Sequence, residues 1–243
     1  MIYTYEDRVR YSEIDENARM TLLSLINNMQ DCCTFHGEDV GVGLRHNMER
    51  GHGWVVTDLQ MQIDRYPMFG ARILVTTWAS GFRGMIAQRN FSIETEDHEL
   101  LAEAATQWVL IDIASHRPIR IPQEQEAFGL HPEKKLTRDL GGRKIRLPEE
   151  MREMPSFEIR EDHLDTNRHV NNAQYVRFAM RYFPEGFTPE TMRVAFKRQA
   201  MLGDVIVPHI HVDKQEEDTV VVVSLADRTG ESFFVGEWHA AAR

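Results

Sequence analysis

At 243 residues, with a net charge of −10 and 42% hydrophobic and 27% charged residues, the chain has the composition of a globular protein with room for one large or two ordinary domains. The acidic balance disfavours nonspecific nucleic-acid binding, and no apolar run approaches the ~18 residues that a membrane-spanning helix needs. Cys32 and Cys33 are the only cysteines; as neighbours in an expected helix they suit neither a disulfide nor a metal set, and a reducing, cytoplasmic compartment follows.

Residues 2–11 alternate apolar and polar side chains and read as a strand, charged enough to be unlike a secretory leader. Leu22, Leu25, Ile26, Met29 and Cys33 recur at helical spacing, so residues 21–35 are expected to form a helix capped by Thr21. The glycine-containing stretch 37–53 reads as loop or short helical turns. Strands are expected over 54–63, 73–80, 85–94 and 101–113, separated by turn residues at Pro67, Gly70, Gly81 to Gly84 and Glu96 to Glu99. One strand, one helix and a four-stranded meander make an α+β unit.

Residues 115–155 lack periodicity, hold five of the nine prolines, and read as a connection between two units. Lys134, Lys135, Arg138, Arg143, Lys144 and Arg146 form the densest basic run of the chain, more consistent with a solvated linker than with a docking surface. The order then restarts, with strands expected at 157–160, 193–196, 205–212, 219–225 and 232–241 and a helix at 172–183.

Two short strings recur in the same order. Asp15-Glu16-Asn17-Ala18-Arg19 stands against Asp165-Thr166-Asn167-Arg168-His169, and Met68-Phe69-Gly70-Ala71-Arg72-Ile73 against Met201-Leu202-Gly203-Asp204-Val205-Ile206. With a helix between them in both halves, they indicate an internal duplication. Asp165, Asn167 and His169 fall at every second position; in an extended segment, a carboxylate, an amide and an imidazole would share one face at a helix entrance. Arg19 occupies the place of His169. Arginine does not deprotonate near neutral pH, so only the second half can supply a general base there. Turn and cap roles compete for Asp165, Asn171 and Asn172, and Tyr175 reads as a core or interface residue. The histidines His36, His46, His52, His209 and His211 show no metal-ligand spacing.

The string Leu164 to Tyr175, LDTNRHVNNAQY, resembles the LDxNxHVNNxxY motif of the acyl-acyl carrier protein (acyl-ACP) thioesterases. That resemblance implies two tandem hotdog domains, α+β, each a long helix wrapped by an antiparallel sheet. The expected division is 1–122 as a substrate-pocket domain, 123–155 as linker and 156–243 as the catalytic domain. It also implies that Asp165, Asn167 and His169 lie in the active site. Where the family has glutamate then cysteine in a string like YRREC, Phe196-Lys197-Arg198-Gln199-Ala200 places Gln199 and Ala200. Alanine excludes a thiol nucleophile there, and Gln199 can orient water but cannot act as a base.

The implied reaction is hydrolysis of an acyl-ACP thioester to free fatty acid, ending chain elongation, with Asp165 as either nucleophile or general base. No cofactor or metal is expected. The partner is acyl carrier protein, for which the basic linker with Arg177, Arg181, Lys197 and Arg198 offers docking places. A homodimer is compatible with this reading, although a fused pair already supplies the contact that single hotdogs obtain by dimerising. Acyl-CoA hydrolysis, or non-catalytic acyl binding on the same fold, are the competing readings.

Overall fold

Residues 1–140, 144–165 and 169–241 are described by the computed structural model, in which the chain separates into two units, Met1–Leu140 and Gly141–Arg243. In the first, strands β1 (Tyr3–Arg8), β2 (His52–Ile63), β3 (Arg72–Arg83), β4 (Ile86–Thr95) and β5 (Leu100–Asp112) form an antiparallel sheet in the order β1-β3-β4-β5-β2, with the short β6 (Arg117–Pro118) on β5. Helix α1 (Leu22–Asp39) starts where its sequence provides a cap: the Thr21 hydroxyl accepts the Ser24 N–H at 3.2 Å. Leu22, Leu25, Ile26, Met29 and Cys32 bury one face of α1, which packs on β3 and β1. Leu25 is wholly buried, and truncating it to alanine would cost about 2–5 kcal/mol.

Near the N-terminus two boundaries differ from expectation, and the short helical turn expected within 37–53 is present. The first strand ends at Arg8 and is followed by a 3-10 turn, Tyr11–Glu13. Helix α1 runs through Gly37 to Asp39 and ends just before Gly41, whose φ of 79° suits the left-handed exit from a helix. A second short helix, α2 (Leu44–Glu49), occupies part of the glycine-containing stretch.

The expected linker 123–155 is more than a connection, because residues 123–138 pack onto the first unit. The 3-10 turn Gln123–Phe128 buries Phe128 beside Val42 and Ala79. Gln125, wholly buried, donates to Asn47 Oδ1 at 3.0 Å and accepts from Trp54 Nε1 at 3.3 Å. Glu103, buried on β5, accepts from the Thr137 N–H (2.8 Å), the Thr137 hydroxyl (2.9 Å) and the Arg138 N–H (2.9 Å). Three donors on one buried carboxylate latch the segment to the sheet. Single side chains fix this segment rather than a repeating apolar pattern, so periodicity could not reveal it. Part of the basic run is thereby engaged: the Lys134 ammonium lies 4.4 Å from the Trp78 ring centroid and Arg138 pairs with Asp64 at 2.8 Å.

The second unit holds β7 (Arg152–Glu153), β8 (Phe157–Glu158), α3 (Asn172–Met180), β9 (Thr191–Phe196), β10 (Val205–Lys214), β11 (Asp218–Ala226) and β12 (Ser232–Ala241). Its antiparallel order is β9-β12-β11-β10, with β7 and β8 on β10. Helix α3 packs on β11 and β12 and buries Tyr175, Val176, Phe178 and Ala179. It has nine residues against the 18 of α1 and stops short of 183, because Phe183 precedes Pro184 and a residue before proline is disfavoured in helical conformation.

The duplication extends to individual hydrogen bonds. In the first unit Val9 N–H donates to Ala71 O (2.9 Å) and Gly70 N–H to Val9 O (3.0 Å); in the second, Ile159 N–H donates to Asp204 O (2.8 Å) and Gly203 N–H to Ile159 O (3.0 Å). Gly70 and Gly203, with φ of 79° and 85°, make the turns that the recurrent Met-x-Gly strings encode.

Candidate active site

Of the stretch Asp165 to His169, expected to be extended, residues 166–168 lie outside the described residues. Its ends close on each other: Asp165 N–H donates to His169 O (2.8 Å), His169 N–H donates to Asp165 Oδ1 (3.2 Å), and Leu164 and Val170 form an antiparallel bridge. An aspartate that receives an N–H from within its own turn stabilises that turn. Asp165 and His169, both half-buried, are thus brought together as the two ends of one loop. Asn167 lies outside the described residues.

Helix α3 begins immediately after the loop. The Asn171 side chain is its cap, accepting the Ala173 N–H at 2.8 Å, and the Asn171 N–H donates to His163 O at 3.3 Å. The 3-10 turn Glu161–His163 precedes the loop, and the Arg160 N–H donates to His163 Nδ1 at 3.1 Å.

Gln199 reaches the same neighbourhood from β9. Val170 N–H, one residue beyond His169, donates to Ala200 O, one residue beyond Gln199, at 3.1 Å. Gln199 is half-buried, and both its neighbours are tied down. Arg198 pairs with Asp227 and with Glu231 (3.2 Å) and stacks 4.2 Å from the Phe233 ring centroid. The Thr229 hydroxyl and then Arg198 hold the Asp227 carboxyl well below the usual carboxylate range. Ala200 N–H donates to the Tyr175 phenol oxygen at 2.7 Å.

Sequence reasoning placed Tyr175 in the core or at an interface. Burial pushes its phenol up to about 12, partly offset by the Ala200 N–H, so it stays protonated at neutral pH. A buried tyrosine hydroxyl needs a partner, and that need was the available clue.

The arrangement offers a carboxylate and an imidazole at a loop closing onto a helix start, beside an amide-bearing segment. Such a set can position water, take its proton and face a polarised carbonyl. Among the described residues no group of three or more His, Cys, Asp or Glu could hold a metal ion, and no helix is long and apolar enough to cross a membrane. Both cysteines are free thiols.

Residues 1–128 match the acyl-ACP thioesterase N-terminal domain, and residues 147–241 match the acyl-ACP thioesterase C-terminal domain. A chloroplastic palmitoyl-acyl carrier protein thioesterase of Gossypium hirsutum is 27% identical over 199 residues, 76% of this chain and 48% of the relative. The chain therefore spans about half the length of the plant relatives it matches. A 12:0-ACP thioesterase from Umbellularia californica superposes with a TM-score of 0.86 at 20% identity, over 99% of this chain and 94% of the other. An acyl-ACP thioesterase from Bacteroides thetaiotaomicron does so at 0.78 and 20%, over 98% and 96%. The tandem hotdog architecture implied by the motif is the fold of this chain.

Proposed function

The chain belongs to the acyl-ACP thioesterase family, and from that premise we propose that it hydrolyses acyl-ACP thioesters, releasing free fatty acid and carrier protein, with Asp165, Asn167, His169 and Gln199 as its site. The observation that carries the site is the loop closed between Asp165 and His169. It presents an imidazole where the first unit has an arginine, Arg19, bound to its own aspartate at 3.2 Å.

In this mechanism Asp165 takes a proton from water and the hydroxide oxygen bonds to the acyl carbon. The tetrahedral oxyanion is met by N–H groups at the start of α3, the C–S bond breaks, and the thiolate leaves with a proton relayed through His169. Asn167 and Gln199 orient the water. The leaving group is a good one, so a modest catalytic set suffices. On this reading 156–243 is the catalytic portion, and 1–122 shapes the acyl pocket. The free thiols fit the reducing cytoplasm. Exposed Lys144, Arg146, Arg177 and Lys197 are cations suited to an acidic carrier, whereas Lys134, Arg138, Arg181 and Arg198 are engaged within the chain.

The test is turnover of matched acyl-ACP and acyl-CoA by the purified chain. Preference for ACP is expected; preference for CoA would remove the carrier assignment, and no hydrolysis of either would remove the enzyme reading. Single turnover in H2¹⁸O should label the fatty acid and leave Asp165 unlabelled. Label in Asp165 would make it the nucleophile instead.

A further inference from the structure

The contact between Tyr175 and the segment carrying Gln199 is absent from the other unit. Tyr175 leaves α3 five residues after Val170, and its ring is held on several sides. It stacks on Phe234 (centroids 5.8 Å apart, planes 8° apart) and meets Phe196 (6.1 Å) and Phe178 (6.5 Å) edge-on. Its hydroxyl accepts the Ala200 N–H at 2.7 Å and lies 3.5 Å from Arg198 O, a long contact. Ala200 N belongs to the peptide after Gln199 and Arg198 O to the peptide before it. One oxygen therefore touches both peptide planes that set the backbone angles of Gln199, and through them the direction of its side chain.

The equivalent positions follow from the shared hydrogen bonds. Met20 N–H donates to Pro67 O (2.7 Å) as Val170 N–H does to Ala200 O, and the N–H groups of Asp64 and Arg65 both point at Leu101 O as those of Lys197 and Arg198 do at Phe233 O. Ala200 thus corresponds to Pro67, Gln199 to Tyr66 and Tyr175 to Leu25. Proline has no N–H to give and leucine no oxygen to receive it. Both partners of the bond are missing together in the unit that lacks the histidine.

We propose that Tyr175 is a positioning residue, whose hydroxyl brackets the peptides on either side of Gln199 and so fixes the Gln199 carboxamide for the reaction at Asp165 and His169. The assignment rests on the thioesterase reading of that site. Tyr175 itself touches no reacting atom; it acts through Gln199.

The experiment measures kcat, KM, melting temperature and Ala200 amide exchange for the wild type, Tyr175→Phe, Gln199→Ala and the double variant, using acyl-ACP. Phenylalanine keeps the ring contacts. Displacing a positioned group by a fraction of an ångström to an ångström costs up to about a hundredfold, so Tyr175→Phe is expected to lower kcat roughly ten- to a hundredfold with KM within about threefold. In the Gln199→Ala background the same substitution should leave kcat within about twofold, while the loss of melting temperature persists in both backgrounds. An equal kcat loss in both backgrounds would overturn the proposal, as would no loss in either.

Should Tyr175→Phe fail to fold, 3-fluorotyrosine at 175 keeps ring and hydroxyl while weakening the oxygen as acceptor. A smaller kcat loss, again dependent on Gln199, is then expected, and none would overturn the proposal. Amide exchange separates this inference from the functional reading. Wild-type inactivity on every thioester defeats both, whereas an active wild type with unchanged Ala200 exchange in Tyr175→Phe defeats only the bracket.

Discussion

The loops Asp15–Arg19 and Asp165–His169 are closed by the same bonds at their ends and differ in the side chain at the last position. In each, the aspartate N–H bonds the carbonyl four residues on (2.8 Å in both), and the aspartate Oδ1 accepts that residue's N–H, at 2.9 Å in the first loop and 3.2 Å in the second. In each, the residue after the loop bonds the segment that follows the next strand. Aspartate at this place is therefore first a device for closing a turn, and its presence alone says nothing of chemistry. The difference lies in the last residue. Arg19 reaches back to Asp15 Oδ2 through Nε (3.3 Å) and a terminal nitrogen (3.2 Å), consuming the carboxylate in an ion pair. His169 puts an imidazole in that position. Subtracting one loop from the other isolates His169, Gln199 and the Tyr175–Ala200 bond as what the second unit adds.

The comparison breaks most directly at the aspartates. Asparagine retains an oxygen that can accept the loop N–H but cannot take a proton from water. Asp165→Asn should keep the melting temperature within a few degrees and lower kcat on the order of a thousandfold. Asp15→Asn should leave kcat within about threefold. Equal losses in the two variants would show that the aspartates serve only their turns.

Copying Arg19 into the second loop is the next largest change. His169→Arg is expected to pair with Asp165 as Arg19 does with Asp15, lowering kcat on the order of a hundredfold or more without lowering thermal stability. The converse, Arg19→His, should create no second site. A His169→Arg protein retaining more than a tenth of wild-type turnover would show that the imidazole is dispensable.

Gln199 sharpens the contrast at a smaller scale. Gln199→Glu keeps the shape of the side chain and should hold kcat within about tenfold. Gln199→Tyr, which copies Tyr66, should cost more, because its hydroxyl sits at the far end of a rigid ring and cannot hold water where the carboxamide does. The same kcat in both variants would mean that this side chain takes no part.

The duplication and most strands were legible because sheet alternation and helical spacing repeat, and a repeat can be read without a partner. Asp165 and His169 were singled out by their spacing; the bonds that tie the one to the other are announced by no residue pattern. The roles of Gln125, Glu103 and Tyr175 were hidden for a related cause. Each is fixed by long-range hydrogen bonds to segments more than 20 residues away. Such contacts leave no period in the sequence.

The smallest expected contrast is in how the two units respond to pH. His36, wholly buried on α1, accepts from the Arg89 guanidinium through Nδ1 at 3.1 Å, stacks on Tyr3 and meets Phe128 edge-on. Burial, and then the Arg89 charge, lowers it to about 4. The unfolded chain, near 6.5, binds more protons between these values, so stability present above about pH 6.5 is lost as pH falls towards 4. In the second unit His239 is raised, first by Glu237 (3.3 Å) and also by Asp218 (3.1 Å). Its contribution is complete below about 6.5 and is lost as pH rises through its folded value; at 37% side-chain exposure it is strongly screened. Acidification should therefore speed amide exchange on β3 and β4 relative to β11 and β12, and mild alkalinity should do the reverse more weakly. His36→Gln keeps a hydrogen-bonding side chain and removes the titration, so it should flatten the acid response of the first unit alone. An unchanged pH slope in that variant would place the acid sensitivity on another group.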